Sequence, residues 1–206
     1  MASHTARKIA RKMPKQERAR ATRDALLDAA ALVLVDEGYD GASTNKIAAR
    51  AGVSVGSLYQ YFDGKDQIVT AVAERHHEQL MAVVALAAAD PGEPDGDLAT
   101  LVEAIIGAML QAHAVDPELH RVLTDQIPHN VVVRRIEEDG ATFVRGLIEL
   151  HKARLRQDLD VDVATFIVTH AVEGVTHAAV IERPGTLKGA LLTRELARMV
   201  TRFLGA

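Results

Sequence analysis

The sequence predicts an all-α protein, built as a small N-terminal three-helix domain followed by a larger helical domain. Ala, Leu and Val dominate the 206 residues, aromatic residues make up 3% and Trp is absent. This composition suits closely packed helices rather than a sheet. Apolar residues recur at helical spacing in long segments. Clusters of Pro and Gly at residues 90–96 and 184–185 separate those segments.

Charge is divided unevenly between the two parts. Residues 1–65 carry 11 Lys and Arg against 7 Asp and Glu, a net charge of +4, whereas residues 66–206 carry 13 against 21, a net charge of −8. A basic head on an acidic body is typical of a polyanion-binding module joined to a different domain.

Three features bear on the compartment. The chain has no Cys, so disulfides and thiolate metal sites are excluded, which fits a reducing cytoplasm. No run approaches the ~18 apolar residues of a membrane span. The basic N-terminus lacks the apolar segment of a secretory signal. We therefore expect a cytoplasmic protein with no membrane partner.

The chain begins with a basic segment that has almost no apolar residues to bury. Residues 1–19 are predicted to be a mostly disordered arm. Arg7 and Arg11 are its candidates for contacts with phosphates or the minor groove, and the alternative is a solvated tail. Residues 20–38 are predicted to form the first ordered helix, ended by Gly38, with an apolar stripe of Leu26, Ala30, Val33 and Leu34.

Residues 43–65 predict two short helices joined by a tight turn. Ser43 and Ser54 are good N-caps for the two helices. Gly52 can turn the chain with positive φ at no steric cost. The inward positions of both helices are apolar: Ile47, Ala48, Ala51, Leu58 and Phe62. Two helices joined in this way form the helix-turn-helix, whose second helix reads the DNA major groove.

This stretch resembles the DNA-binding domain of the TetR family of transcriptional repressors over roughly residues 20–68. The matching residues are Thr44, Ile47, Ala48, Ala51, Gly52, Val53, Ser54, Leu58, Tyr59, Gln60, Tyr61, Phe62 and Lys65. The resemblance implies an all-helical homodimer whose variable C-terminal domain binds an effector. It divides the chain into the arm (1–19), a helix-turn-helix domain (20–65) and a ligand-binding and dimerisation domain (66–206).

The resemblance also implies roles for single residues. The phosphate-contacting positions fall on Thr44, Tyr59, Tyr61 and Lys65. The positions that reach base edges fall on Asn45, Val55, Ser57 and Gln60, and Ser54 is a further small donor on the second helix. Val55 and Gly56 depart from the polar residues that many relatives carry there. Sequence readout is therefore expected to depend on Asn45, Gln60, thymine-methyl contacts to Val55 and DNA shape.

The larger domain reads as a series of helices. A linking helix is predicted at 66–89, with His76 and His77 in a solvated band, and the resemblance implies that it transmits effector binding as a pendulum-like movement. Further helices are predicted at 98–114, 118–126, 131–156, 163–182 and 187–204. The last two are apolar on more than one face, which is typical of helices shared with a partner. The resemblance places them in a four-helix bundle across a two-fold axis.

An effector cavity is expected between the helices that begin near residues 98, 118, 131 and 163. Its candidate lining residues are Ile105, Met109, His113, Leu123, Phe143, Leu147, Phe166 and His170. Taken individually, most of them are better explained as packed core. An apolar cavity with few polar groups favours a small lipophilic molecule.

One pattern suggests metal chemistry instead. His170, Glu173 and His177 share a helical face and are plausible zinc ligands, with His113 and His120 as further candidates from other helices. Polar residues on an apolar helix more often hydrogen-bond across an interface or orient a ligand. The chain lacks the His-Glu-x-x-His, phosphate-loop and Gly-x-Ser-x-Gly motifs. We therefore predict no catalytic residues, no metal, no cofactor and no enzyme.

The sequence thus predicts a dimeric DNA-binding transcriptional regulator of the repressor type. Its partners would be double-stranded DNA bearing an inverted repeat, a second copy of the chain and a small lipophilic effector that releases the operator. Two alternatives stay open. One is a ligand-independent DNA-binding protein, and the other is a metal-dependent enzyme or metal sensor that uses His170, Glu173 and His177.

Overall fold

The computed structural model describes residues 15–89, 97–126, 133–187 and 189–205. Within these ranges the protein is all-α, as predicted. The helices are α1 (Lys15–Gly41), α2 (Thr44–Arg50), α3 (Val55–Leu58), α4 (Lys65–Ala89), α5 (Leu98–His113), α6 (Pro117–Asp125), α7 (Val133–Leu150), α8 (Val161–Glu182) and α9 (Ala190–Leu204). Single 3₁₀ turns lie at Lys152–Arg154 and Pro184–Thr186.

Helix α1 differs from the prediction at its start. It begins at Lys15, so residues 15–19 are helical and the predicted disordered arm is wrong for them. Residues 1–14 of that arm, with Arg7 and Arg11, lie outside the described residues. At its other end Gly38 takes φ 71° and ψ 178°, which interrupts the helical backbone where the sequence indicated. One more turn follows, ending at Gly41.

Helices α1–α3 close around a hydrophobic core that also uses later parts of the chain. The core contains the predicted inward residues of all three helices, among them Leu26, Leu34, Ile47 and Leu58. Helix α4 adds Ile68, Val69, Ala71 and Val72, and α6 adds Leu119 and Val122. We call residues 15–72 the head. The predicted domain boundary at residue 65 passes through this core.

The remaining helices, which we call the body (residues 73–205), enclose a second hydrophobic core. It is formed mainly by α5, α8 and α9, with Leu110, Ala164 and Leu196 at its centre. Helix α4 packs along α5, α5 along α9, and α7 along α8. Carboxylate caps start three of these helices, because Asp97, Asp116 and Asp160 accept hydrogen bonds from first-turn N–H groups of α5, α6 and α8.

Two predicted boundaries in the body are wrong. Helix α7 ends at Leu150 rather than near residue 156. Beyond it Leu155 takes an extended backbone and is buried in the body core, which a continued helix would not allow. Helix α9 begins at Ala190, since Leu187 is buried in the turn that precedes it.

Among the described helices, α8 is by itself long and apolar enough to cross a membrane. This exceeds the apolar runs expected from the sequence. A central helix of a bundle has the same length and composition, and Ala164, Val168, Val172, Ala179 and Val180 of α8 are buried in the body core.

Candidate functional site

The turn between α2 and α3 has the geometry that the motif indicated. The Ser43 hydroxyl accepts a hydrogen bond from the N–H of Lys46, and the Ser54 hydroxyl accepts one from the N–H of Ser57. Gly52 between them adopts φ 68°. The N–H of Val53 donates to the carbonyl of Ala48 at 3.0 Å, which closes the turn. These contacts hold α3 across α2 with its outer face open.

Several of the predicted DNA-contacting side chains lie together on that outer face. Asn45 on α2 and Gln60 after α3 are exposed, and Tyr59 is 53% exposed. The hydroxyl groups of Thr44 and Tyr59 lie 3.4 Å apart, so the start of α2 and the end of α3 present one polar patch. The sequence carries no acid between Gly41 and Phe62 that would repel phosphate.

Other predicted contacts are partly committed to the fold. The Ser54 and Ser57 hydroxyls lie 2.8 Å from each other, in addition to the capping bond of Ser54. Val55 and Tyr61 are half-buried against the head core. These four side chains therefore have less freedom to meet DNA than Asn45 or Gln60.

The side chain of Lys65 is held against Tyr39 rather than extended into solvent. Its Nζ donates to the carbonyl of Tyr39 at 3.0 Å and lies 4.0 Å from the centre of the Tyr39 ring. The Tyr39 hydroxyl in turn donates to Asp66 Oδ1 at 2.7 Å, and this bond raises the pKa of Tyr39. The network fixes the ammonium at the junction of α1 and α4.

The body contains a cavity of about 450 Å³ between α4, α5, α6, α7 and α8. Seven of the eight predicted lining residues reach it: Ile105, Met109, His113, Leu123, Phe143, Leu147 and His170. The wall is predominantly apolar, with further residues from α4 such as Leu80, Met81 and Val84. Helix α4 therefore forms a cavity wall in addition to linking the head to the body.

Phe166 does not line the cavity, and the prediction for it is wrong. Its side chain is 64% exposed on the outer side of α8, and its ring edge meets His170 at a centroid distance of 4.4 Å. Phe166 lies four residues before His170 on the same face of α8, so helical periodicity alone could not separate it from the cavity wall. Further large apolar side chains are exposed on α8 and α9: Val163, Ile167, Ile181, Leu191 and Met199.

Among the described residues, seven histidines line the cavity, whereas the sequence indicated only His113 and His170 for its wall. His76 and His77 are partly buried cavity residues, so the predicted solvated band is wrong. The ring centroids of His113 and His120 are 4.4 Å apart, and those of His120 and His177 are 4.9 Å apart. His76 Nε2 lies 3.2 Å from His120 Nδ1. We call His76, His77, His113, His120 and His177 the histidine cluster.

Burial keeps these imidazoles neutral. Desolvation, with a smaller contribution from neighbouring histidines, lowers the pKa of His113 to about 4 and that of His120 to about 2. It also lowers the pKa of His76, His77 and His177. At neutral pH the cluster therefore offers ring nitrogen lone pairs and N–H donors rather than positive charge.

Two buried polar atoms on the cavity wall lack hydrogen-bonding partners among the residues that the structure describes. They are Nε2 of His77 and the hydroxyl oxygen of Thr169. Asp139 Oδ2 lies 3.9 Å from His77 Nε2, beyond hydrogen-bonding distance. Buried polar atoms are normally satisfied, so these two mark places where a bound molecule would gain hydrogen bonds.

The predicted triad of His170, Glu173 and His177 does not assemble. His177 joins His113 and His120, whereas His170 is exposed beside Phe166. A Cβ atom at Gly140 would come within 2.8 Å of Glu173 Oε1, so Gly140 permits the close approach of α7 to α8. Sequence reasoning missed His76, His77 and Thr169 as cavity residues, because the charged neighbours of the two histidines suggested a solvated face and Thr169 carried no signal.

A polar contact links the body to the head next to the cavity. The N–H of Tyr39 donates to Gln126 Oε1 at 3.0 Å, just after α6. A Cβ atom at Gly38 would come within 2.6 Å of the same oxygen. Helix α6 carries His120 and Leu123 on the cavity side and Leu119 and Val122 in the head core. One helix therefore contacts both the cavity and the DNA-binding unit.

Two family models match the chain. Residues 26–72 match "Bacterial regulatory proteins, tetR family", and residues 97–204 match "Tetracyclin repressor-like, C-terminal domain". The first range covers the helix-turn-helix together with the part of α4 that completes the head core. The second covers α5–α9.

The chain is also similar to individual proteins. It is 30% identical to the uncharacterized transcriptional regulator TtgW of Pseudomonas putida over 59% of this chain and 81% of that protein. It is 44% identical to the transcriptional activator FasR of Mycolicibacterium smegmatis over 35% of this chain and 32% of FasR. The crystal structure of FadR from Bacillus subtilis in complex with stearoyl-CoA matches with a TM-score of 0.67 at 19% identity, over 89% of this chain and 97% of FadR.

Proposed function

The chain belongs to the TetR family of bacterial transcriptional regulators, and on that premise we propose that it is a homodimeric repressor released from its operator by a lipophilic effector. DNA-binding transcriptional regulation follows from the family itself. The proposal includes repression rather than activation, an operator with an inverted repeat, a lipophilic effector and a cytoplasmic location. The observation that carries it is a largely apolar cavity walled by the same two helices, α4 and α6, that complete the head core.

The outer face of α2 and α3 supports DNA contact by the head. Thr44 and Tyr59 would bind phosphate through their adjacent hydroxyl groups, with Tyr61 and Lys65 at the edge of the same surface. Asn45 and Gln60 have the exposed amide groups suited to base edges. Ser57 and Val55 would contribute shorter-range contacts. Helix α3 is short, so specificity would come from two heads that read half-sites roughly 34–36 Å apart or a multiple of it.

The exposed apolar side chains of α8 and α9 support a dimer. Phe166 is 64% exposed and Leu191 is 69% exposed, and Val163, Ile167 and Met199 add to the apolar surface of these two helices. Soluble chains rarely leave so many large apolar groups in water without a partner. A second copy that applies the same two helices would cover them symmetrically.

The cavity supports an effector with a long apolar part and one polar end. Its wall is aliphatic along α4, α5 and α7, and its polar atoms gather at the histidine cluster and Thr169. FadR of Bacillus subtilis, which shares the fold, was crystallised with stearoyl-CoA. We therefore propose a long-chain acyl compound as the effector class.

Release would follow from the position of α6. A ligand that displaces His120 or Leu123 moves the helix whose other side packs in the head core, and Gln126 would pass the shift to Tyr39. Only a difference in ligand affinity between the two head positions is required.

The test begins with selection of duplexes from a random-sequence library by the purified protein. We expect an inverted repeat, and tight but patternless binding would contradict specific dimeric recognition. Stearoyl-CoA, stearate and CoA are then titrated onto the protein–operator complex while fluorescence anisotropy is followed. We expect the acyl compounds to weaken operator binding at least ~10-fold, about 1.4 kcal/mol, and CoA alone to leave it unchanged.

A cavity-filling substitution sharpens the result. Met109→Trp places a large side chain in the cavity, whereas Gln111→Trp places the same side chain on the exposed face of the same helix. The first variant should keep operator affinity and lose the acyl response, and the second should keep both. An equal acyl response in the two variants would mean that the ligand binds elsewhere.

A further inference from the structure

We propose that His113, His120 and His177 form a binding site for a divalent transition-metal ion of the zinc class at one end of the cavity. The three side chains come from three different helices, α5, α6 and α8. One candidate ligand atom from each lies within 4.8 Å of the other two. His113 and His120 are buried and His177 is half-buried. This set differs from the group of His170, Glu173 and His177 that the sequence suggested.

The spacing is close to that of a three-histidine metal site. With Zn–N distances of about 2.0–2.1 Å, tetrahedral coordination places ligand nitrogens about 3.3 Å apart. Small side-chain rotations about buried Cβ positions would bring atoms within 4.8 Å to that separation. Imidazole is a preferred ligand of Zn²⁺, Cu²⁺ and Ni²⁺, and a donor set without carboxylate or thiolate disfavours Mg²⁺ and Ca²⁺.

The surroundings of two ligands resemble those that orient metal-bound histidines. His113 Nδ1 lies 2.8 Å from the carbonyl of Met109. Donation of the Nδ1 proton to that oxygen leaves Nε2 as the lone-pair donor. His120 Nδ1 lies 3.2 Å from His76 Nε2, while its Nε2 has only a 3.4 Å contact with the Thr124 hydroxyl. The contact with Thr124 is the weaker of the two and the one that a metal would replace.

All three histidines line the cavity, so the fourth coordination position faces its interior. Three protein ligands with an open position are typical of sites that take up water or an exogenous ligand. The burial that lowers the pKa of His113 and His120 keeps both ligands deprotonated at neutral pH, which removes proton competition.

An ion at this position would tie α6 to α5 and α8. Since Leu119 and Val122 of α6 lie in the head core, occupancy would bias the position of the head. This regulatory consequence rests on the proposed function, whereas metal binding itself does not.

The test uses full-length protein without a histidine tag, stripped with a chelator and titrated with Co²⁺, whose visible absorption reports coordination. We expect one equivalent to bind per chain, Zn²⁺ to displace it, and Zn²⁺ to raise the melting temperature. His177→Asn and His113→Asn should each weaken Co²⁺ binding more than ~100-fold, which is the most that losing a hydrogen-bonding partner of a metal ligand usually costs. His170→Asn, at the same cavity, is the matched control and should bind Co²⁺ like the parent protein.

Absence of saturable Co²⁺ binding by the parent protein would overturn the site, as would unchanged binding in folded His177→Asn. If His113→Asn fails to fold by circular dichroism, the half-buried His177 variant decides the question. Operator affinity is then measured with and without Zn²⁺. Metal binding without any change in operator affinity would leave the site standing and remove only its regulatory consequence.

Discussion

The head and the body are built from the same residue types but are packed differently. In the head, Leu26, Leu34, Ile47, Leu58 and Ile68 are completely buried around a closed core. In the body, helices of similar apolar character enclose a cavity of about 450 Å³ with buried histidines on its wall. A closed core holds α2 and α3 in one geometry, whereas a cavity lets its walls take up alternative positions at small cost.

The two regions also differ in what they expose. The head presents hydroxyl and amide groups from Thr44, Asn45, Tyr59 and Gln60, and the body presents apolar side chains such as Phe166 and Leu191. Contact with DNA requires polar groups at the surface, whereas an interface with a partner chain requires apolar ones. Helices α4 and α6 contribute residues to the head core and to the cavity wall, and the proposed release of DNA depends on this connection.

The largest expected effect comes from creating a cavity in the head core. Leu58→Ala should lower the free energy of unfolding by about 2–5 kcal/mol and abolish operator binding, because α3 would lose its only fully buried anchor. Leu147→Ala, on the cavity wall, should cost less than ~2 kcal/mol and preserve operator binding. Urea unfolding and anisotropy measure both quantities. Equal losses in the two variants would break the contrast between the regions.

The next largest effect is expected from acid, which should destabilise the body more than the head. The folded pKa of His113 is about 4 and lies below its ordinary value of 6.5, so the folded state disfavours the proton. The associated stability is complete above pH 6.5 and is lost as pH falls from 6.5 toward 4, by at most ~3 kcal/mol. Residues 15–72 contain no His, so the head lacks this source of acid sensitivity. Metal-free protein is melted from pH 7.5 to 4.5, and His113→Gln should flatten the profile; an unchanged profile would contradict the assignment.

The connection between the regions can be perturbed at Gly38. Gly38→Ala should destabilise the protein by about 1–2 kcal/mol, since φ 71° is unfavourable with a Cβ and the new atom would meet Gln126 Oε1. The double variant Gly38→Ala with Gln126→Ala removes the clash and keeps the strain. In thermal melts, the double variant should recover only part of the stability that Gly38→Ala loses, because the backbone strain remains. Full recovery by Gln126→Ala would show that the clash, and not the strain, dominates.

Lys65→Ala tests the electrostatic part of the head. We expect binding to all duplexes to weaken similarly, and the slope of log K against log salt to fall by about one. A loss confined to one sequence would contradict a phosphate contact. Since Lys65 also donates to the Tyr39 carbonyl, circular dichroism must show an intact fold.

The smallest expected effect is a change of preference without a general loss of affinity. Gln60→Ala should alter sequence selection at one or two positions of each half-site, by about 1–3 kcal/mol at those positions. The library selection is repeated with the variant and compared with the parent protein. An unaltered preference would remove Gln60 from the base-reading residues.

Local signals explain why the fold class and the helix-turn-helix were predictable. The caps Ser43 and Ser54 and the positive φ of Gly52 depend on neighbours within a few residues, and the structure has all three as the sequence indicated. Helical periodicity likewise identified Ile105 and Met109 on one inward face of α5, and Leu147 on the inward face of α7. Boundaries failed where burial overrode periodicity, as at Leu155 after α7.

The amino-acid sequence by itself thus determined the all-α class, the DNA-reading turn and most of the positions that the body helices turn inward. Only the tertiary structure decided what each face meets. It brought His113, His120 and His177 together from three helices, turned Phe166 outward and placed α6 between the cavity and the head core. The physical reason is that periodicity orients a side chain about its own helix axis, whereas contacts between helices depend on how their axes cross.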